Sequence, residues 1–364
     1  MARQQTLEAD FAAVIPQSWG SEPIQKRSSD AWSELVHYAQ RNLENSDKYG
    51  ESLSSYMRDV KPDYSRYFVP EVLTPFYGTE IWEELDEEQR IFLSQVRYAA
   101  FYNRVSSLEN LACESNSLFA QQLPKNSSNV LRFYVNRETQ EEYDHIWAFR
   151  NMSRAIELHL FGEPVFDVPG SGFDDQVNIK LFSYTRKLYR WAPKTMAMAT
   201  YAIRGLRNAT LKTAEETIIN SKIVDPSLQH LTKMHFMDEA RHTGMSYTTG
   251  KCMYDIANRS ALCDFMILQY LKKPQQATHK LKKSGGYQEY IDLRNPIVRP
   301  RLLNHPIMRS KAARISAFLD SGEVATPFNK EIADRYMMRC RKNLEYMSPD
   351  FSEKAEKLLR SQPG

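Results

Sequence analysis

The chain has little that would mark it for a membrane, a redox relay or a nucleic acid. No stretch approaches the roughly 18 uninterrupted apolar residues of a spanning helix. The opening residues Met-Ala-Arg-Gln-Gln-Thr-Leu-Glu lack the basic-then-apolar run of a secretion signal. The expectation is therefore a soluble, cytoplasmic protein with no membrane partner. The four cysteines, Cys113, Cys252, Cys263 and Cys340, form no Cys-x-x-Cys pair. That spacing argues against a zinc knot or a redox dithiol and leaves buried thiols. A net charge of only +3, left by 48 basic and 45 acidic residues, offers no broad surface for phosphates, so nucleic acid is not an expected partner.

What is present is a chain of 364 residues, 42% of them hydrophobic, enough to bury a real core. Residues 1–84 mix a short helical pattern, around Ala31 to Asn45, with Pro- and Tyr-rich stretches, and read as an N-terminal wrap of the same domain. From Asp86, an acceptable N-cap with Gln89 at the capping-box position, helical patterns dominate. Helices are expected from there to about Gln122, over 130 to about 161, and over 175 to about 222 with an interruption near Pro193. A further helix should start at Asp225-Pro226 and run past Tyr254. Residues 85–258 thus form an expected four-helix bundle, and 259–364 a helical extension packed on it. Helices in that extension are expected at Ala261 to Tyr270, Ile307 to Leu319 and Asn329 to Met347.

The organising stretch is His235-Phe-Met-Asp-Glu-Ala-Arg-His242. Positions i, i+4 and i+7 fall within a narrow arc of a helix, so His235, Glu239 and His242 share a face that could grip a metal. Upstream, Glu142 and His145 repeat the Glu-x-x-His spacing on another helix. Two such pairs, each joined by a Glu from a further helix, are the ligand set of a ferritin-like di-iron or di-manganese site. Glu109 supplies one, because it shares its stripe with Tyr102, Val105, Ser106 and Cys113 and so points inward. The other falls at Glu215 or Glu216.

The predicted fold class is accordingly all-α, a ferritin-like four-helix bundle core with additional N- and C-terminal helices. Three of the chain's eight histidines obey one spacing logic, which favours ligands over merely packed imidazoles. Another Glu-x-x-His, Glu34 to His37, has no third ligand on its face and is read as incidental. Asp238 and Asp144 stand beside ligand positions and could orient imidazoles, and Glu138 is a further candidate one turn before Glu142. Glutamate and imidazole together suit iron or manganese, and a reduced pair of such ions with open positions can react with oxygen.

These residues resemble the p-aminobenzoate N-oxygenase (arylamine N-oxygenase) family of di-iron enzymes. The resemblance runs through Tyr102-Asn-Arg-Val105 leading to Glu109, Glu142-x-x-His145, Glu216-Thr-Ile-Ile-Asn220, Asp225-Pro-Ser-Leu-Gln229 and Asp238-Glu239-x-x-His242. It covers about residues 85 to 250. His235, a seventh ligand candidate beyond the usual four Glu and two His, is what singles the family out. The resemblance implies a cofactor of two iron ions, with manganese as a mis-metallating ion. It places Glu109 and His145 on one iron, Glu216, His235 and His242 on the other, and Glu142 and Glu239 between them. The Glu-Thr-x-x-Asn wording favours Glu216 over Glu215, although the interval from Glu216 to His235 is shorter than the family's by about two helical turns.

The activity so implied is oxidation of an amine nitrogen to hydroxylamine, and onward to nitroso or nitro, with O2 in specialised metabolism. The amine would be an arylamine, an amino acid or an aminoacyl group on a carrier protein. Electrons would come from a separate reductase, since the chain has no Gly-x-Gly-x-x-Gly dinucleotide fingerprint. The basic run Lys272, Lys273, Lys280, Lys282 and Lys283 could dock an acidic carrier or reductase, though such runs are more often a solvated face. A homodimer is allowed for. The rival readings are a di-iron carbon hydroxylase or desaturase, and a non-catalytic iron-binding ferritin-like protein.

Overall fold

A computed structural model describes residues 33–44, 52–122, 130–166, 189–256 and 295–321, with a few single positions beside them. Among the described residues the elements are helical apart from an isolated parallel bridge between Tyr67 and Val224. Helices α1 (residues 33–44), α2 (Leu53–Asp59) and α3 (Glu80–Glu84) precede four long ones. These are α4 (Glu87–Gln122), α5 (Val130–Phe161), α6 (Pro193–Ile219) and α7 (Pro226–Ile256). Helices α8 (Val298–Asn304) and α9 (Ala312–Ser321) follow. The pairs α4 with α5 and α6 with α7 pack most extensively, and α4 meets α6 while α5 meets α7, which makes a four-helix core from two helical hairpins.

The helix starts form for the local reasons expected. The Asp86 N–H donates to Gln89 Oε1 at 3.2 Å and the Gln89 N–H to Asp86 Oδ1 at 2.9 Å, a reciprocal capping box that opens α4. Asp225 Oδ1 accepts the Leu228 N–H at 2.9 Å, and Pro226 takes the first position of α7, where its missing donor costs nothing. The interruption near Pro193 falls at Ala192, whose φ of −140° and ψ of 65° break the helix before α6.

Residues 63–68 are tied to the core through polar contacts. The Asp225 N–H donates to Tyr67 O at 2.8 Å, Asp225 Oδ2 accepts the Asp63 N–H at 3.1 Å, and Gln95 Nε2 donates to Tyr64 O at 2.8 Å. An apolar cluster joins Phe68, Phe76, Trp82 and Phe92 to Phe149 and Leu231, and continues into Leu302, Ile315 and Phe318 from the later helices. Each such burial contributes about 1.5–3 kcal/mol. The later helices therefore share the bundle's core.

The expected helix at Ile307 to Leu319 begins only at Ala312, after a 3-10 turn at Arg309–Lys311. The expected helices at 261–270 and 329–347, and the basic run at 272–283, lie outside the described residues. Cys113 and Cys252 are buried thiols outside any disulfide. No helix among the described residues is long and apolar enough to cross a membrane.

One close approach positions α6 on α7. A Cβ on Gly205 would meet Tyr247 Cε1 at 2.4 Å, and the Tyr247 hydroxyl donates to Gly205 O at 2.5 Å. Gly205→Ala must push the ring away and break that bond. The expected cost is about 1–3 kcal/mol, the usual range for overpacking. Chemical denaturation would measure it, and an unchanged unfolding midpoint would contradict the packing.

Candidate metal centre

Where the apolar cluster ends at Tyr102 and Phe149, a polar one begins. The Phe149 ring stands edge-on to His235 with centroids 4.8 Å apart, and Tyr102 stacks on Phe149 at 4.1 Å. Beyond them α4 delivers Glu109, α5 delivers Glu142 and His145, α6 delivers Glu215, and α7 delivers His235, Glu239 and His242, all buried. The i, i+4, i+7 face of α7 and the i, i+3 face of α5 turn inward together, as the spacing requires.

Each imidazole turns one nitrogen to the cluster and the other to an outer carboxylate. His145 Nε2 meets Asp238 Oδ2 at 3.2 Å, which leaves Nδ1 facing inward. His235 Nδ1 meets Glu215 Oε1 at 2.6 Å, while Nε2 faces Glu109 Oε1 at 2.9 Å and Glu239 Oε1 at 3.9 Å. His242 Nε2 meets Glu141 Oε2 at 2.9 Å, while Nδ1 faces Glu239 Oε1 at 3.0 Å and Glu142 Oε1 at 3.2 Å. An outer carboxylate on the far nitrogen fixes the ring and raises its basicity, the usual support of a metal-binding histidine.

Two groups of donors result, Glu109, His145, His235 and Glu239 in one, Glu142, His145, Glu239 and His242 in the other, each with its ligand atoms within 4.8 Å of one another. They adjoin through His145 and Glu239. Their inner atoms include Glu109 Oε2, Glu142 Oε2 and His145 Nδ1, buried and without any hydrogen-bond partner. Leaving such atoms bare costs about 1–3 kcal/mol each, more where they are charged. A cation at their centre removes that cost. Three carboxylates and three imidazoles suit iron or manganese and lack the sulfur that would favour copper(I). The donor set fits the metal pair expected of it.

Burial and the neighbouring Glu239 push the Glu142 carboxyl up, against the pull of Arg204. Burial would also raise Glu239, but His242 and His235 outweigh it and hold that carboxyl well below the usual range. Burial by itself would lower His145, but Asp238 and Glu109 overcome it and push its pKa from 6.5 up to about 9. The metal-free ring is thus protonated at neutral pH, whereas a ligand must be neutral, so metal entry expels that proton. Affinity is expected to tighten as pH rises from 6.5 towards 9, by up to about tenfold per pH unit for each proton released. Calorimetry in buffers of different ionisation enthalpy counts those protons. A count of none at neutral pH would contradict the arrangement.

The Glu-Thr-x-x-Asn wording favours Glu216, but α6 turns Glu215 inward instead. Glu215 is fully buried against His235, whereas Glu216 is only half-buried and its carbonyl accepts from Asn220 Nδ2 at 2.8 Å. The two side chains leave the helix about 100° apart, and the inward face of α6 runs through Arg204, Asn208 and Glu215. The grouping also differs from the one the resemblance implies, since His235 goes with Glu109 and His145, and His242 with Glu142. Asp238 reaches an imidazole, but Asp144 instead accepts the Ser54 N–H at 3.2 Å. Glu138 meets Arg204 and accepts from Asn116 Nδ2 at 3.1 Å. Glu34 pairs with Lys251 Nζ at 2.7 Å, and neither it nor His37 joins a donor group.

Sequence reasoning missed Glu141, Arg204 and Asn208. Arg204 is buried, with Nη1 on Glu138 Oε1 and Nη2 on Glu142 Oε1. Asn208 Nδ2 donates to Glu239 Oε2 at 2.5 Å. For Arg204 and Asn208 the available signal was their spacing on α6, four residues from Arg204 to Asn208 and seven from Asn208 to Glu215.

Four long helices presenting an inward Glu/His cluster define the ferritin-like class of all-α proteins. The profile of the family described as P-aminobenzoate N-oxygenase AurF matches residues 37–261, and the chain belongs to that family of oxygenases. No curated protein matches the chain.

Proposed function

We propose that the protein is a two-iron N-oxygenase that oxidises an amine nitrogen to the hydroxylamine, and onward to nitroso or nitro, with O2. The observation that carries this reading is the pair of adjoining donor groups with bare inner atoms, in a chain of an N-oxygenase family. Glu109, Glu142, His145, His235, Glu239 and His242 would hold the ions, and Glu215, rather than Glu216, would stand behind His235. When bound, the iron pair would supply the oxidising chemistry towards O2. The chain's own part is to hold each ring by an outer carboxylate and to keep water from His235 with the Tyr102–Phe149 wall. The substrate is a free or carrier-bound amine, and the electrons come from a separate reductase.

The test is to load the chain with ferrous iron, admit isotopically labelled O2 with a panel of arylamines and amino acids, and locate the label by mass spectrometry. Label on nitrogen supports the reading. Label on carbon, or loss of hydrogen from carbon, would assign a hydroxylase or desaturase, and a ferric core formed regardless of amine would assign storage.

A further inference from the structure

The helix α6 brings two groups to the cluster that are not metal ligands of the expected kind. Arg204 and Asn208, one turn apart, reach two inner carboxylates, Glu142 of the second donor group and Glu239, which belongs to both. A carboxylate oxygen held by a hydrogen bond is less free to take a metal ion. Glu142 has Oε1 taken by Arg204 Nη2, and Glu239 has Oε2 taken by Asn208 Nδ2 at 2.5 Å. The guanidinium is itself buried and forked between Glu142 and Glu138, with a third contact at 3.1 Å to Asn116 Oδ1. It is a fixed positive charge in the half of the cluster formed by Glu142 and His242.

We infer that Arg204 is a built-in cation opposing the second metal ion, so that the centre loads unevenly. The first divalent ion enters among Glu109, His145, His235 and Glu239, the group to which the Arg204 guanidinium makes no hydrogen bond. Arg204 already answers one of the two buried carboxylates, Glu138 and Glu142, between which it is forked. A second ion at Glu142 and His242 must take Glu142 from the guanidinium and sit beside it. Repulsion between a divalent ion and a buried guanidinium is only weakly screened there. The neutral Asn208 adds no charge to offset it, where a carboxylate at that place would. This inference rests on the two-metal reading and concerns the order and strength of loading within it.

The test is anaerobic titration of the intact chain with cobalt(II) alone, followed by calorimetry and visible absorption, in the wild type, Arg204→Gln and Arg204→Lys. The wild type is expected to show two affinity classes separated by about tenfold or more. Arg204→Gln is expected to tighten the weaker class by about tenfold or more and leave the stronger within about threefold. Arg204→Lys keeps the charge and should keep the split. Two equal classes in the wild type would overturn the inference while leaving the two-metal reading intact, and so would a weaker class that Arg204→Gln fails to tighten. No binding at all would overturn both. Circular dichroism checks the variants' fold, and should Arg204→Gln not fold, the wild type and Arg204→Lys still decide.

Discussion

Glu239→Ala is expected to empty the centre. Glu239 belongs to both donor groups and accepts from His242 Nδ1 and Asn208, so its loss removes a ligand from each ion at once. The fall in metal affinity should exceed the roughly 10–100-fold typical of changes one layer further out, and oxygen consumption should fall with it. Stability provides an independent reading. Metal held at about a thousand times its dissociation constant adds about 4 kcal/mol to the folded state. The wild type's melting temperature should therefore climb when ferrous or manganous ion is added, and the variant's should stay where it is. A variant that still gains stability from metal would contradict the placement of Glu239.

The neighbouring glutamates of α6 should behave as opposites. Glu215→Ala strips the His235 Nδ1 of its partner at 2.6 Å and the Tyr102 hydroxyl of an acceptor at 3.1 Å, all three side chains being buried. A bare buried donor costs about 1–3 kcal/mol, and loss of the carboxylate behind a ligand histidine about 10–100-fold in metal affinity. Glu216→Ala, at a half-buried position, should cost under about 1 kcal/mol, the range of exposed ion pairs, with metal binding unchanged. Metal titration and denaturant melts of the two variants side by side settle the order. The reverse order would restore Glu216 to the centre.

Much of this arrangement is legible in the sequence because helices are periodic. His235, Glu239 and His242 cannot leave one face of a helix, nor can Glu142 and His145, and Asp86 with Gln89 and Asp225 with Pro226 mark helix starts by local chemistry. Glu215 against Glu216 was not legible, because adjacent residues both fit an unknown helix phase, and only packing against α7 fixes that phase. Arg204 was hidden for another reason. A basic residue on a helix usually points to solvent, and nothing local shows that Glu138 and Glu142 of another helix wait opposite it. Asp238 and Asp144, alike beside ligand residues, parted because one faces His145 and the other the start of α2. Long-range pairing of this kind comes from the fold and not from any window of sequence.

The most direct test of the centre is an anaerobic titration of the purified chain with ferrous ion to saturation, followed by exposure to oxygen with the visible spectrum recorded. About two ions per chain are expected at saturation, with oxygen consumption on exposure, and neither in Glu239→Ala. A wild-type chain that takes up no ferrous or manganous ion would contradict the two-metal reading, and would reduce the buried glutamates and histidines to a network of ion pairs.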